Sequence, residues 1–205
     1  AKIVYLVDTH PSVAAMARKF RATPLRDCRK IPRGSIDAAS VALPPRLHPA
    51  VCAELMRKGV AVLCEKPVAP SSRAAAPLAR AVRQSKGKFM TGFQYRYDEG
   101  FVRMRDLIRS GRLGKILSVQ IDKIHPIHSG KDWRLAKDGG VLLIKDIHYF
   151  DLVPWLLGGD PFTQVTAKGG NPIHGGRSED FCHVGMETRG GALVHLRSAW
   201  WKMPG

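Results

Sequence analysis

Val60-Ala61-Val62-Leu63-Cys64-Glu65-Lys66-Pro67 is an apolar run that stops at a charged pair and a proline, and it reads as a short strand ending at a sheet edge. The segment before it, Leu47 to Lys58, has the apolar spacing of a helix closed by Gly59, and Ala38 to Leu43 before that is a buried strand. The same alternation extends both ways. Residues 2 to 7 form a strand ending at Asp8, and Pro11 to Phe20 is a helix with proline near its first turn. Downstream, Ser72 to Ser85 is a helix that Pro77 should kink, and Lys88 to Phe93 is the next strand. Strands and helices alternating at this length imply a parallel sheet with helical covers.

After Gly92 the pattern changes. A helix from Glu99 to Ser110 leads into a strand over Lys115 to Lys123, a polar loop, and one apolar helix from Gly140 to Leu157 closed by Gly158-Gly159. Three strands follow, over Thr163 to Lys168, Glu179 to Thr188 and Ala192 to Trp201, the last two joined as a hairpin by Arg189-Gly190-Gly191. The expected organisation is therefore α/β: a Rossmann-type parallel sheet over 1–93, then an α+β domain with a mostly antiparallel sheet over 94–205. A strand ending in Asp8 fits a dinucleotide fold entered at its second strand, since that acidic residue normally follows a G-x-G-x-x-G loop by about 20 residues and binds ribose hydroxyls. No such loop occurs in the 205 residues. Both ends read as cut, and the parallel sheet is expected to lack its first strand, leaving two neighbours with unpaired edges.

Composition narrows the function classes. With 44% apolar residues the chain can bury a sizeable core, and no apolar run approaches the ~18 residues of a membrane span. The N-terminal stretch lacks the features of a signal peptide, which points to the cytoplasm. Cys28, Cys52, Cys64 and Cys182 are spaced too irregularly for a zinc ribbon, so no metal site is expected and the thiols read as core or idle. The net charge of +16 is spread through every element without a nucleic-acid motif, so a solvated basic surface is expected and nucleic acid is not the anticipated partner.

Four ordered segments resemble the glucose-fructose oxidoreductase and inositol dehydrogenase family. Val62-Leu63-Cys64-Glu65-Lys66-Pro67 looks like its strand ending in Glu-Lys-Pro. Leu43-Pro44-Pro45-Arg46-Leu47-His48 is similar to its Pro-Asn-x-x-His loop beside the nicotinamide, with Pro45 in place of asparagine. Gly92-Phe93-Gln94-Tyr95-Arg96-Tyr97 resembles its Gly-x-x-x-Arg-Phe stretch at the domain boundary. Asp132-Trp133-Arg134, Gly139-Gly140-Val141-Leu142-Leu143 and His148-Tyr149-Phe150-Asp151 match the helix lining its substrate pocket.

The resemblance implies a nicotinamide-dependent oxidoreductase of a sugar or cyclic polyol, with Lys66 and His148 as base and oxyanion holder. It implies cofactor contacts at Asp8, Pro44, His48, Glu65 and Lys66, and substrate contacts at Lys66, Arg96, Trp133 and His148. The Asp8 carboxylate favours NAD over NADP, because a 2′-phosphate would meet it. The second-domain sheet is expected to pair copies of the chain.

One position departs from the family. Where its dehydrogenases carry an aspartate four residues before the histidine, this chain has Ile144. Asp146 should point away from His148, since two helical residues turn about 200°, whereas Asp151 could approach it. The competing expectation is a non-catalytic or fragmentary relative that binds a sugar or a protein partner.

Overall fold

The computed structural model describes residues 1–85, 87–127, 139–175 and 177–202. The chain divides into two compact units, Ala1–Gly92 and Phe93–Gly205.

The first unit runs β1 (Tyr5–Val7), α1 (Val13–Phe20), β2 (Thr23–Leu25), β3 (Ala38–Val41), α2 (His48–Arg57), β4 (Ala61–Cys64), α3 (Ser72–Gln84) and β5 (Phe89–Thr91). Every strand pairing is parallel. The strands form two pieces, β1-β2 and β3-β4-β5, so β1 and β3 each keep an edge with no strand partner among the described residues. The apolar core lies between the three-stranded sheet and α2 with α3, where Val41, Cys52, Leu55, Met56, Val62, Cys64 and Leu78 are buried. The opposite face of that sheet is open: Leu63 and Met90, paired in register, are 44% and 43% exposed beside a cavity of about 360 Å³.

Local chemistry explains the helix ends. Ser71 caps α3, its hydroxyl accepting from the Ala74 N–H at 3.2 Å. Gly59, at φ 82°, follows α2 in the left-handed region that glycine occupies without strain. The helix α3 continues past Pro77 to Gln84. Lys58, in a turn, donates from Nζ to the carbonyls of Cys28, Arg29 and Ile31 at 3.3, 2.7 and 2.7 Å, tying α2 to the turn before β3.

The second unit holds α4 (Glu99–Arg109), β6 (Ser118–Ile127), α5 (Ile147–Leu156), β7 (Phe162–Gly170), β8 (Phe181–Thr188) and β9 (Leu193–Lys202). Its sheet has the order β6-β9-β8-β7, parallel between β6 and β9 and antiparallel elsewhere. Alternation along β9 sets the core, with Val194, Leu196, Ser198 and Trp200 buried and Leu193 and Trp201 exposed. The buried residues of α5, His148, Tyr149, Leu152, Val153 and Leu156, form the matching helical stripe.

The helix expected over Gly140 to Leu157 runs without a break from Val141 to Leu156, its first part, Leu142–Asp146, wound as a π turn that leads into α5. Its start is held by Glu179: the backbone carbonyl accepts from the Val141 N–H and the carboxylate from the Leu142 N–H, both at 3.1 Å. Gly140 sits against that carboxylate at φ 97°, where an added Cβ would collide with Glu179. Gly140→Ala is expected to cost about 2 kcal/mol or more in denaturant unfolding, because the backbone angle and the collision both oppose it. No helix among the described residues is long and apolar enough to cross a membrane.

Candidate functional site

In the first unit the predicted residues stand at the carboxyl ends of parallel strands, the side on which such sheets bind ligands. Glu65 and Lys66 directly follow β4, with the Glu65 N–H bonded to the Val41 carbonyl at 2.8 Å. The Glu65 carboxylate turns back to accept from the Lys66 N–H at 3.2 Å. Gly92 faces the same carboxylate, and a Cβ there would lie 3.3 Å from it, which accounts for a glycine after β5. Pro44 follows β3 and its carbonyl closes a turn onto the Leu47 N–H at 2.9 Å. Asp8 follows β1; its N–H bonds the Leu25 carbonyl at 3.1 Å and its exposed carboxylate accepts from the His10 N–H at 2.8 Å.

His48 requires a correction. Its ring is 1% exposed and both nitrogens are committed: Nδ1 donates to the Pro67 carbonyl at 2.8 Å and Nε2 accepts from the Leu43 N–H at 3.1 Å. It therefore has no ring nitrogen left for a cofactor and acts as a buried staple joining the Pro44 loop to the segment after Lys66.

In the second unit His148 is 6% exposed, its ring stacked on Tyr95 at 4.5 Å and edge-on to Phe93 at 6.2 Å. Tyr95 also contacts Tyr149 at 5.7 Å, and the Lys123 amine lies 5.9 Å from the Tyr149 ring centre. Burial pushes the Tyr149 phenol well above its ordinary range, so it stays protonated. Ile144 is buried in the apolar core, so the position before His148 that could have carried a carboxylate contributes packing.

Asp151 corrects one further expectation, and it does so through Arg96. Arg96 Nε and Nη2 meet the two oxygens of Asp151 at 2.7 and 2.5 Å in a fork-to-fork pair. The hydrogen bonds to Asp151 hold the guanidinium above its ordinary range. Arg96 thus also acts as a strut between the 3-10 turn Gln94–Tyr97 and α5, with 41% of its side chain exposed, and Asp151 is turned to Arg96 rather than to His148. Asp146 does point away from His148: it is fully buried against the sheet, accepting from the Ser198 hydroxyl at 3.1 Å, with the Cys182 thiol at 3.9 Å. Asp132, Trp133 and Arg134 lie outside the described residues.

Two residues of the second unit escaped the sequence reading. Tyr95 lies inside the quoted Gly92 to Tyr97 segment, and its ring links His148 to Tyr149. His125 follows from alternation along β6, which puts it on the same face as Val119 and Ile121; its Nε2 lies 3.9 Å from Asp146 Oδ1. Among the described residues there is no group of acidic, histidine and cysteine side chains that could hold a metal ion.

Comparison with known proteins places these features. Residues 1–93 match the oxidoreductase family with an NAD-binding Rossmann fold, and residues 101–205 match the GFO/IDH/MocA C-terminal domain. An inositol 2-dehydrogenase of Rhizobium meliloti is 30% identical over 168 residues, covering 82% of this chain and 50% of the relative. The WlbA dehydrogenase of Bordetella pertussis, solved with NADH and UDP-GlcNAcA, is 25% identical with a TM-score of 0.87, over 96% of this chain and 63% of that one. The Chromobacterium violaceum WlbA dehydrogenase has the same fold at a TM-score of 0.90 and 22% identity, over 100% of this chain and 61% of that one. The chain spans about half the length of the inositol dehydrogenases it matches. With a C-terminal match across 101–205 following the Rossmann match, the chain belongs to the GFO/IDH/MocA oxidoreductase family.

Proposed function

We propose that the protein is a nicotinamide-dependent oxidoreductase that oxidises a CH–OH group of a sugar or cyclic polyol, using NAD in preference to NADP. The observation that carries this reading is Lys66, placed directly after β4 at the carboxyl edge of a parallel sheet and followed by a proline. A structural lysine has little reason to stand there, whereas a cation that steadies a developing alkoxide does. His148 is the second group assigned to the reacting hydroxyl, its ring plane set by Tyr95.

The residues fit one part of the cofactor. Asp8 offers an exposed carboxylate, oriented by the His10 N–H, to ribose hydroxyls and disfavours a 2′-phosphate there. Pro44 and Glu65 shape the edge on which the nicotinamide half would lie, and the pyrophosphate loop is not among the 205 residues. A bound oxidised nicotinamide supplies the hydride acceptor. The similarity to an inositol 2-dehydrogenase supports the substrate class. Exposed Ile124, Leu193 and Trp201, all on the outer face of the four-stranded sheet, support pairing of that face between copies.

Ile144 favours a second reading, a relative that binds its ligand without turning it over. Titration of NAD and NADH into the protein, followed by nicotinamide absorbance with inositols and sugars, separates the two. A cofactor-dependent absorbance change carries the first reading and binding without turnover across the panel favours the second; because residues 1–205 hold no G-x-G-x-x-G loop, weak or no dinucleotide binding is expected of them alone, and the titration is repeated on a chain that carries such a loop ahead of β1.

A further inference from the structure

The second unit contains a cavity of about 460 Å³ between the carboxyl-terminal halves of α4 and α5 and the 3-10 turn before α4. Three arginines line it: Arg96, Arg105 and Arg109. Its other walls are Pro154, Trp155 and the Gly158-Gly159 pair that follows α5. Both glycines have positive φ, and a Cβ added to either would meet nothing within 4 Å, so the recess stays open on that side.

Two of the arginines are fixed in place without using up their donors. Arg105 and Arg109 stand four residues apart, on one face of α4. The Arg105 guanidinium carbon lies 4.3 Å from the centre of the Trp155 ring, a cation–π contact that engages its plane and leaves its edge free. A guanidinium carries five N–H donors. Arg96 gives two N–H groups, from Nε and Nη2, to Asp151. Arg105 makes only long contacts, at 3.3 and 3.4 Å, to its neighbour Asp106. Arg109 has no hydrogen bond or ion pair among the described residues. None of the three donates to a helix-end carbonyl there, so the C-termini of α4 and α5 do not account for them. Nor do the nearby acids: Asp151 is pinned by Arg96, the Asp106 side chain is 62% exposed, and Asp160 accepts from the Gly190 N–H. Cations gathered in one recess repel, and a bound anion relieves that repulsion. Guanidinium forks match the oxygens of phosphate, and Pro154 and Trp155 add apolar wall for an organic remainder.

We propose that this cavity binds the phosphate group of a small phosphate ester, with Arg105 and Arg109 as the main donors and Arg96 adding the N–H groups that Asp151 leaves free. Trp155 is seven residues beyond His148 on α5, about 10 Å along the helix axis. The phosphate therefore has two sources, the substrate itself or a separate phosphorylated ligand. Binding stands apart from the oxidoreductase reading, and only the choice of source rests on it.

The test is calorimetric titration of the protein with myo-inositol monophosphate, glucose 6-phosphate and inorganic phosphate, at about 0.15 M salt so that diffuse attraction to the basic surface is screened. Saturable binding of an ester is expected, tighter than that of inorganic phosphate and weakened about tenfold in R105Q and in R109Q, the size of one lost charge-assisted bond. R103Q, at an exposed arginine of α4 outside the cavity, should bind as wild type does. Absence of saturable binding, inorganic phosphate bound as tightly as the esters, or a loss in R103Q equal to that in R109Q overturns the proposal. If R105Q fails to fold by circular dichroism, R109Q decides. On a chain that carries the glycine loop, turnover of a phosphorylated sugar with a KM raised in R109Q makes the phosphate the substrate's own, and an ester bound but not turned over makes it a separate ligand. Failure to reduce nicotinamide with any sugar sinks the oxidoreductase reading and leaves the binding result standing.

Discussion

Lys66→Ala should lower turnover about a thousandfold, within the range of roughly 10²–10⁴ for loss of a positioned acid–base group, with little change in overall stability. The side chain is half-buried just beyond β4, outside the unit's apolar core, so its removal opens no large cavity. Its contribution lies in charge at a fixed point. The backbone there is held by the bond between the Lys66 N–H and Glu65 and by the His48 bridge to Pro67, neither of which the substitution touches. Lys66→Arg keeps the charge but moves its centre outward and spreads it over a plane, so it should recover only a small part of the loss. The measurement is kcat and KM for the best substrate of the inositol and sugar panel, with thermal unfolding alongside. A variant with wild-type kcat would remove Lys66 from the chemistry; one that melts far below wild type would make its role structural.

The largest stability effect is expected at Trp200. Its side chain is fully buried in the core of the second unit, on the inner face of β9, with His125 and Lys145 ranged around the ring. Trp200→Ala should cost about 3–5 kcal/mol, the range for truncating a large core aromatic, because the surrounding strands cannot collapse into the space. At this chain length that corresponds to a fall in Tm of about 10 °C. Trp201→Ala, on the opposite face and 55% exposed, should cost less than about 1 kcal/mol. Comparable effects at the two positions, measured by calorimetry, would mean that the outer face is as closely packed as the inner.

Most of the elements were legible because their period is written in the residues. The alternation in β9 and the apolar stripe of α5 each follow from repeats of two and 3.6. The strand β2 was not legible: it is three residues long with Pro24 at its centre, and a residue without an N–H reads as a break unless it lies on an edge. The open edges of β1 and β3 followed from Asp8, since an acidic strand end normally comes second in such a sheet. For the site, Lys66 could be located from its strand, but the pairing of Arg96 with Asp151 spans 55 positions and no local pattern encodes it. The commitment of both His48 nitrogens depends on carbonyl and N–H directions that only the folded backbone defines.

The π turn over Leu142–Asp146 sets the direction of the side chains that follow it. A helix is an angular register, and each α residue advances it by about 100°. A wide turn near its start resets the phase of everything that follows, which in α5 includes His148, Asp151 and the buried stripe through Leu156. Losing or gaining one residue in this turn would rotate those side chains together, exposing Leu152 and Leu156 and drawing His148 off Tyr95. Because of the wide turn, a count at about 100° per residue back from His148 misplaces the side chains that precede it.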